Sequence, residues 1–276
     1  MIVSLEGQEA VGKTTLAYSA PLPIVGFNFD MGIERALYGT KYEELFEGLS
    51  IEVVPYSSEA EPSYSTADIL IYELPQPIQL DSIRIQGCRN LWSYFIIRLA
   101  KAFTDPKVRT IVVDTMTNAR RIKADSFLEA LQDKAYKPNG DRIPEVQLRE
   151  RLQQIEYGLP NDAIRDIYTT GAGTRKNLIG VHHLTDEYAQ SLNARGEQQS
   201  TPTGNKILEG LNNTYRFVDI ALRMEKDKTG NLRGRWQKCG YDLSKEGTYL
   251  ENPTWEMIVN LLEMSCGDRL GLEHRR

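Results

Sequence analysis

A glycine loop near the amino end constrains the fold more than any other feature of the sequence. Residues 7–14 read Gly-Gln-Glu-Ala-Val-Gly-Lys-Thr and match the spacing G-x-x-x-x-G-K-[ST]. The preceding residues 2–6 favour a short strand, and residues 15–19 can continue as a helix. A strand, a glycine loop and a helix in this order form the phosphate-binding loop of nucleoside triphosphatases. The pattern therefore predicts an α/β fold with a nucleotide site.

The chemistry of phosphate binding explains the residue types in the loop. Gly7 and Gly12 allow the backbone to curl, so that successive N–H groups point at phosphate oxygens. The Lys13 ammonium can reach the outer phosphates, and the Thr14 hydroxyl can bind Mg²⁺. The predicted ATP site consists of nine consecutive residues, which are Gly7, Gln8, Glu9, Ala10, Val11, Gly12, Lys13, Thr14 and Thr15.

Apolar segments after the loop predict the remaining strands of a mainly parallel sheet with helices on both faces. The predicted strands are residues 23–30, 51–56 (at an edge), 110–114, 178–183, 215–224 and 232–239, the last two forming a hairpin around 228–231. The predicted helices are 91–103, 117–134, 145–168 with a break at 158–160, 206–212, and 252–262 with Asn252 as cap.

Two segments lack clear periodicity. Residues 57–80 contain Ser, Pro, Glu and Tyr, which indicates an insertion, and the polar residues 185–205 indicate a mobile loop. We therefore expect a nucleotide-binding core over residues 1–250 and a C-terminal helix and tail over residues 251–276.

Carboxylates at strand ends are candidates for the metal and for the attacking water. Asp114 ends the apolar segment TIVVD, where nucleotide-hydrolysing sites hold the carboxylate that organises Mg²⁺. Thr14 and Asp114 are thus the predicted metal ligands. Asp30 ends the strand at 23–30, with Glu34 one turn further on, and is a candidate to orient the water.

Two consecutive histidines end the segment LIGVHH, and ligands bind at the carboxyl ends of parallel strands. We favour His183 over His182 as the sensor of the γ-phosphate, because an imidazole N–H can donate to a phosphate oxygen. The predicted catalytic set is Lys13, Asp30, Asp114 and His183.

Composition limits the possible partners. The chain has 276 residues and a formal net charge of −5, which excludes a uniformly basic surface but allows a local basic strip. The cysteines at 88, 239 and 266 fit neither a disulfide framework nor a metal knuckle. No apolar run is long enough to span a membrane, and the first residues do not resemble a secretory signal. We expect a cytoplasmic protein without a membrane partner.

The loop resembles that of the RecA-type recombination ATPases, because residues 7–15 fit G-x-E-x-x-G-K-T-T. The order of the later motifs is similar to a phage branch of that superfamily, the RecA-like proteins that include the Sak-type single-strand annealing proteins. RecA-type proteins place a glutamate where this chain has Asp30. The motifs that carry the resemblance are Asn28-Phe29-Asp30-Met31-Gly32, Val112-Val113-Asp114, Tyr157-Gly158 and Val181-His182-His183.

The resemblance implies a RecA-like fold with a C-terminal β-hairpin, in which the His-bearing strand lies between the loop strand and the Asp114 strand. It implies a DNA-stimulated ATPase that acts on single-stranded DNA in phage recombination, annealing or repair, in the host cytoplasm if phage-encoded. It also implies a homo-oligomer or filament, with a single-strand-binding protein as a possible further partner. The segment 185–205 would then occupy the position of a DNA-binding loop.

Single-strand binding requires cations for the backbone and aromatic faces for the bases. Residues 185–206 offer Tyr188, Arg195 and Lys206, and the basic hairpin at 226–238 offers Arg233 and Arg235, with Trp236 among them. The hairpin cations can instead be solvated, or reach the ATP of a neighbouring subunit.

Two other functions fit the same loop. A small-molecule kinase would need a lid with catalytic arginines, and although Arg120 and Arg121 are adjacent, no lid pattern stands out. A nucleotide-gated DNA loader or scaffold would bind nucleotide with little hydrolysis.

Overall fold

The computed structural model describes residues 1–37, 43–57, 66–79, 84–137, 139–192, 198–211, 213–267 and 270–274. The strands are β1 (Ile2–Gly7), β2 (Ile24–Asn28), β3 (Ile51–Val54), β4 (Ile69–Glu73), β5 (Thr110–Asp114), β6 (Asn177–His182), β7 (Leu184–Leu192), β8 (Gln198–Leu208), β9 (Ile220–Lys226), β10 (Leu232–Cys239) and β11 (Tyr249–Glu251). The helices are α1 (Lys13–Tyr18), α2 (Ile33–Leu37), α3 (Glu43–Phe46), α4 (Cys88–Thr104), α5 (Met116–Gln132), α6 (Gly158–Thr174) and α7 (Trp255–Cys266).

The main sheet has nine strands in the order β11-β10-β9-β1-β6-β5-β2-β4-β3. From β9 to β3 every pairing is parallel, and β10 and β11 add an antiparallel extension. The strand β6 lies between the loop strand β1 and the Asp114 strand β5, as the resemblance implied. The predicted architecture, a mainly parallel sheet with helices on both faces and a C-terminal β-hairpin, is confirmed.

Two apolar clusters cover the two faces of the sheet. Side chains of α4, α5 and α6, such as Phe95 and Ile164, pack on one face. Side chains of α1, α2 and α7, such as Leu16 and Trp255, pack on the other. The central strands are buried on both faces, which explains their nearly continuous apolar sequence. Among the described residues, no helix is both long and apolar enough to cross a bilayer.

The prediction of an insertion at 57–80 is wrong for its second half. The segment Ile69–Glu73 forms β4, a buried strand that pairs in parallel with β2 and β3. Residues 69–72 form a continuous apolar run like that of β5, but the run stands among Ser, Pro and Glu residues, which favoured an insertion over a strand. Residues 58–65 lie outside the described part of the chain.

The predictions of a mobile loop at 185–205 and a helix at 206–212 are also wrong for the described residues, which exclude 193–197 and 212. Strands β7 and β8 form a separate two-stranded antiparallel ribbon, and residues 206–208 are the end of β8. Most of its side chains are polar and exposed, so the sequence lacks the apolar alternation of a strand on a core.

Two helix boundaries differ from their predictions. Residues 145–153 are not helical, and Gly158 and Pro160, predicted as a break, begin α6, where proline is tolerated because a first-turn N–H has no helical partner. Helix α7 begins at Trp255 and not at Pro253, because the Thr254 hydroxyl caps it by accepting a hydrogen bond from the Met257 N–H at 3.3 Å.

Candidate functional site: a cleft at the glycine loop

The two glycines of the loop have backbone conformations that side chains disfavour. Gly12 has φ 80°. Gly7 has φ 154°, and a Cβ there would lie 2.5 Å from the carbonyl oxygen of Met224 on the neighbouring strand β9. Only glycine fits this close approach, so the loop can bend directly after β1. The motif glycines therefore have the geometric role that the sequence predicted.

The Lys13 side chain folds back over the loop. Its Nζ donates to the carbonyl oxygens of Gly7 at 3.0 Å and Gln8 at 2.5 Å. The side chain is buried, and burial lowers the pKa of its ammonium. The carboxylates of Asp114, Asp30 and Glu9 act against this shift and favour the charged form. Phosphate oxygens can replace one or both carbonyls as acceptors for the ammonium.

Thr14 and Asp114 meet at the bottom of the cleft. The Thr14 hydroxyl donates to Asp114 Oδ2 at 2.6 Å. Asp114 is buried, and this burial raises the pKa of its carboxyl to about 6, although the hydrogen bond from Thr14 lowers it. A cation bound beside Asp114 would therefore stabilise the charged form of its carboxylate.

The oxygen atoms of these two side chains fit Mg²⁺. Magnesium prefers oxygen ligands, keeps several waters, and in nucleotide sites uses one or two protein oxygens together with substrate phosphates. Among the described residues, no group of three His, Cys, Asp or Glu side chains could hold a metal by itself. Thr14 and Asp114 would thus hold the ion together with the nucleotide, where it would neutralise charge on the phosphates.

Asp30 and His183 follow β2 and β6, the strands on either side of β5, and approach each other across the end of β5. Asp30 Oδ1 lies 3.9 Å from His183 Nε2, and the proximity of this imidazole is the main reason that the pKa of Asp30 is lowered. The backbone N–H of His183 donates to the Thr117 hydroxyl at 3.0 Å, which fixes the backbone at the end of β6 and leaves the imidazole free to face the cleft. Glu34 lies in α2, and its side chain is outside the described part of the structure.

The two histidines have different environments. His182 is buried, and its Nε2 lies 2.7 Å from the hydroxyl of Tyr168 on α6. Burial lowers the pKa of His182 to about 3, so the imidazole is neutral near pH 7. A side chain at Gly180 would collide with the same Tyr168 hydroxyl. His182 is therefore part of the core, and His183 is the histidine that faces the cleft.

One cavity of about 610 Å³ contains all four predicted catalytic residues. Its lining consists of Glu9, Ala10, Val11, Gly12, Lys13, Thr14, Thr15, Asp30, Gly32, Arg35, Ala36, Asp114, His183, Lys226, Gly230 and Leu232. Arg35 and Lys226 were not predicted as nucleotide contacts. No motif marks Arg35, and Lys226 was only one of several basic residues in the hairpin.

A second, more open cavity of about 560 Å³ adjoins the first on the side of Asp30 and His183. Gln76, Asn118, Arg121 and Glu209 also line it. Of these four, only Arg121 was considered from the sequence, as a candidate arginine of the kinase alternative. Arg121 Nη2 and Glu209 Oε1 form an ion pair at 3.2 Å. Arg120, its neighbour, instead donates to Asn161 Oδ1 at 2.7 Å.

The predicted DNA contacts are spread over two surfaces. On the ribbon, Tyr188 is exposed and Lys206 pairs with Asp186 at 2.7 Å, whereas Arg195 lies outside the described residues. On β10, Arg235 is exposed. Arg233 pairs with Glu225 at 2.7 Å, and its guanidinium lies 4.2 Å from the centre of the Tyr249 ring.

Two residues of the basic hairpin have structural contacts. Trp236 is buried in the cluster that includes α7, so it is not available for stacking on a base. Lys238 Nζ donates to the carbonyl oxygens of Tyr215 at 2.7 Å and Val218 at 2.6 Å. Only part of the predicted basic strip is therefore free to bind a ligand.

Comparisons with known proteins add a structural likeness. No protein-family model matches the chain, and a search of curated proteins finds no match. Among solved structures, the chain is similar to a KaiC-like protein from the hyperthermophilic archaeon Pyrococcus horikoshii OT3. The TM-score is 0.41 and the sequence identity is 10%, and the match covers 91% of this chain and 83% of that chain.

Proposed function

We propose that this chain is an ATPase that binds Mg²⁺ and ATP in the cleft at the glycine loop. The observation that carries the proposal is the convergence of Lys13, Thr14, Asp30, Asp114 and His183 on one cavity. These residues come from the loop and from the ends of three different strands. They supply an ammonium, a hydroxyl–carboxylate pair and a carboxylate–imidazole pair, which are the groups that phosphate hydrolysis needs.

In hydrolysis, the oxygen of a water molecule attacks the γ-phosphorus and the bond to the β-phosphate oxygen breaks, which releases ADP and phosphate. Lys13 binds the outer phosphate oxygens, and the imidazole N–H of His183 donates to the γ-phosphate. Asp30 orients the water. Because the pKa of Asp30 is lowered, its carboxylate is a weak base, and it positions the water more than it removes the proton.

Single-stranded DNA is the nucleic acid partner of this proposal, in phage recombination, annealing or repair. The contact that supports it is at the base of the ribbon, where the Glu209 N–H donates to the His183 carbonyl oxygen at 3.0 Å. The ribbon thus starts directly at the residue assigned to the γ-phosphate. Tyr188 on the ribbon and Arg235 on β10 are exposed aromatic and cationic groups for the DNA, and an oligomer would align several such ribbons.

The second cavity supports one alternative, a kinase that transfers the γ-phosphate to a polar small molecule. This cavity lies beside Asp30 and His183, where an acceptor hydroxyl would replace the attacking water. Release of inorganic phosphate separates the two functions, because an ATPase releases it without any acceptor and a kinase does not.

The deciding experiment measures phosphate release with and without single-stranded DNA, and records particle size in the same samples. We expect ATP turnover that rises with DNA, and DNA binding that weakens steeply with salt. Lys13→Ala is the inactive control. Turnover that is indifferent to any nucleic acid would contradict the DNA role, and no phosphate release would contradict the ATPase.

A further inference from the structure

The nucleoside part of the cleft has a different chemistry from its phosphate part. With phosphates at Lys13, Thr14 and Asp114, the rest of the same cavity is available to the ribose and base. That region has two walls. One is the α2 segment, which lies beside the start of α1 because the Thr15 hydroxyl donates to the Ala36 carbonyl at 3.2 Å. The other is the β9–β10 hairpin, through Lys226, Gly230 and Leu232.

The polar groups at the tip of this hairpin are already paired with one another. The Asp227 N–H donates to the Asn231 carbonyl at 2.9 Å, and the Gly230 N–H donates to the Asp227 carbonyl at 3.1 Å. The N–H groups of Thr229 and Asn231 both donate to Asp227 Oδ1 at 2.8 Å. These groups are therefore not free to read the hydrogen-bonding edge of a base.

The side chains of the cavity lining offer few other ways to read a base. Among the described residues that line it, there is no Asn, Gln, Phe, Tyr or Trp. Its carboxylates are Glu9, Asp30 and Asp114. Asp114 contacts Thr14 at the metal position, and Glu9 and Asp30 also line the second cavity, which places them at the γ-phosphate end.

Among the described lining residues, what remains for the nucleotide is charge and apolar contact. The Arg35 and Lys226 side chains are exposed and make no hydrogen bond or ion pair with another described residue. The Arg35 guanidinium lies close to Gly32 and acts electrostatically on Asp30, so it is placed to contact phosphates as well as the nucleoside. A guanidinium plane can lie against any base, and both cations can approach phosphate oxygens. Leu232 adds an apolar contact. All of these interactions are available to every nucleoside triphosphate.

We propose that the cleft binds nucleoside triphosphates as a class and does not select ATP by its base, with Arg35 as a contact common to all of them. This inference rests on the proposed function, because it needs the phosphates at Lys13. A site with hydrogen-bonding groups for its substrate rejects an analogue by a factor of about 10⁴ or more, whereas a site without them discriminates by about 10² or less.

The experiment compares ATP, GTP, CTP and UTP, each with Mg²⁺, in calorimetric binding and in phosphate release by the full chain. We expect dissociation constants and kcat/KM values for the four nucleotides to agree within about a hundredfold. A preference for ATP above that limit would overturn the inference and leave the ATPase intact. Failure of every nucleotide to bind would instead overturn the proposed function.

Arg35→Ala tests the residue itself. It should weaken binding of all four nucleotides by a similar factor of about ten, because it removes one cation from each complex. Arg89→Ala is the matched control, because Arg89 is exposed on α4 and pairs with Asp133 away from the cavity. A loss confined to ATP, or equal effects of the two substitutions, would contradict the role of Arg35.

Discussion

The two long hairpins of this chain have different surroundings. The β9–β10 hairpin extends the main sheet, and its Leu222, Met224 and Trp236 are buried beneath α7. The β7–β8 ribbon stands outside the main sheet, with mostly exposed polar side chains. The first hairpin therefore contributes to the stability of the core and to the wall of the cleft. The ribbon adds little stability, and a two-stranded hairpin in water is marginal by itself.

The ribbon is held mainly at its base. Leu208 is buried there, and Arg223 of β9 donates to the Lys206 carbonyl at 3.1 Å. The same guanidinium pairs with the buried Glu6, which directly precedes the glycine loop, at 3.1 Å. The ribbon is therefore ordered by its attachment beside the cleft, although it is not part of the core.

The largest expected difference between the hairpins concerns their aromatic residues. Trp236→Ala should reduce the free energy of unfolding by about 3–5 kcal/mol, because it leaves a large cavity beneath α7. Tyr188→Ala on the ribbon should change it by no more than about 0.5 kcal/mol. Urea denaturation of both variants measures these values, and similar losses would show that the ribbon is part of the core.

Arg223→Gln tests the attachment at the base. It should cost about 3 kcal/mol of unfolding free energy, because the buried Glu6 carboxylate loses its cation and keeps the hydrogen bond from the Tyr215 hydroxyl. The double variant Glu6→Gln with Arg223→Gln should recover part of this loss, since no buried charge remains. If the double variant is as unstable as the sum of the two single variants, the pair does not interact as described.

The buried His182 makes the free energy of unfolding depend on pH. Its pKa is about 3 in the folded protein and near 6.5 when unfolded, so the unfolded state binds the extra proton between these values. The folded state should therefore lose up to about 1.4 kcal/mol per pH unit as the pH falls from about 6 to 4. His182→Gln should remove this contribution, and parallel pH curves for variant and parent would contradict it.

Replacing residues 188–202 with Asn-Gly should have the smallest effect on stability, at most about 1 kcal/mol, because the outer ribbon buries little apolar surface. The same variant should lose the stimulation of phosphate release by single-stranded DNA. Unfolding curves and turnover measurements on one preparation test both statements. Full stimulation of phosphate release without the outer ribbon would show that DNA binds elsewhere on the protein.

The sequence predicted the structure where burial or phosphate geometry imposes a pattern. The glycine loop, the apolar strands ending at Asp114 and His182, and the β9–β10 hairpin all have such patterns. The ribbon does not, because polar side chains on both faces give no alternation. The strand β4 has a continuous apolar run like β5, but it was missed because the polar and proline-containing residues around it show no periodicity.

The site was predictable only in part for a similar reason. A motif fixes the loop residues, and strand ends indicate Asp30, Asp114 and His183. Arg35 and the residues of the second cavity come together only through tertiary packing, which places α2 beside α1 and the base of the ribbon beside β6. Sequence spacing contains no signal for such contacts.

The most direct test is calorimetric binding of Mg²⁺ and ATP to the parent chain, to Lys13→Ala and to Asp114→Asn. The parent should bind one nucleotide per chain. Lys13→Ala should weaken binding by about a hundredfold or more, because the cation facing the outer phosphates is lost. Asp114→Asn should reduce turnover more than binding. Equal affinity of the parent and Lys13→Ala would show that the nucleotide does not bind at this loop.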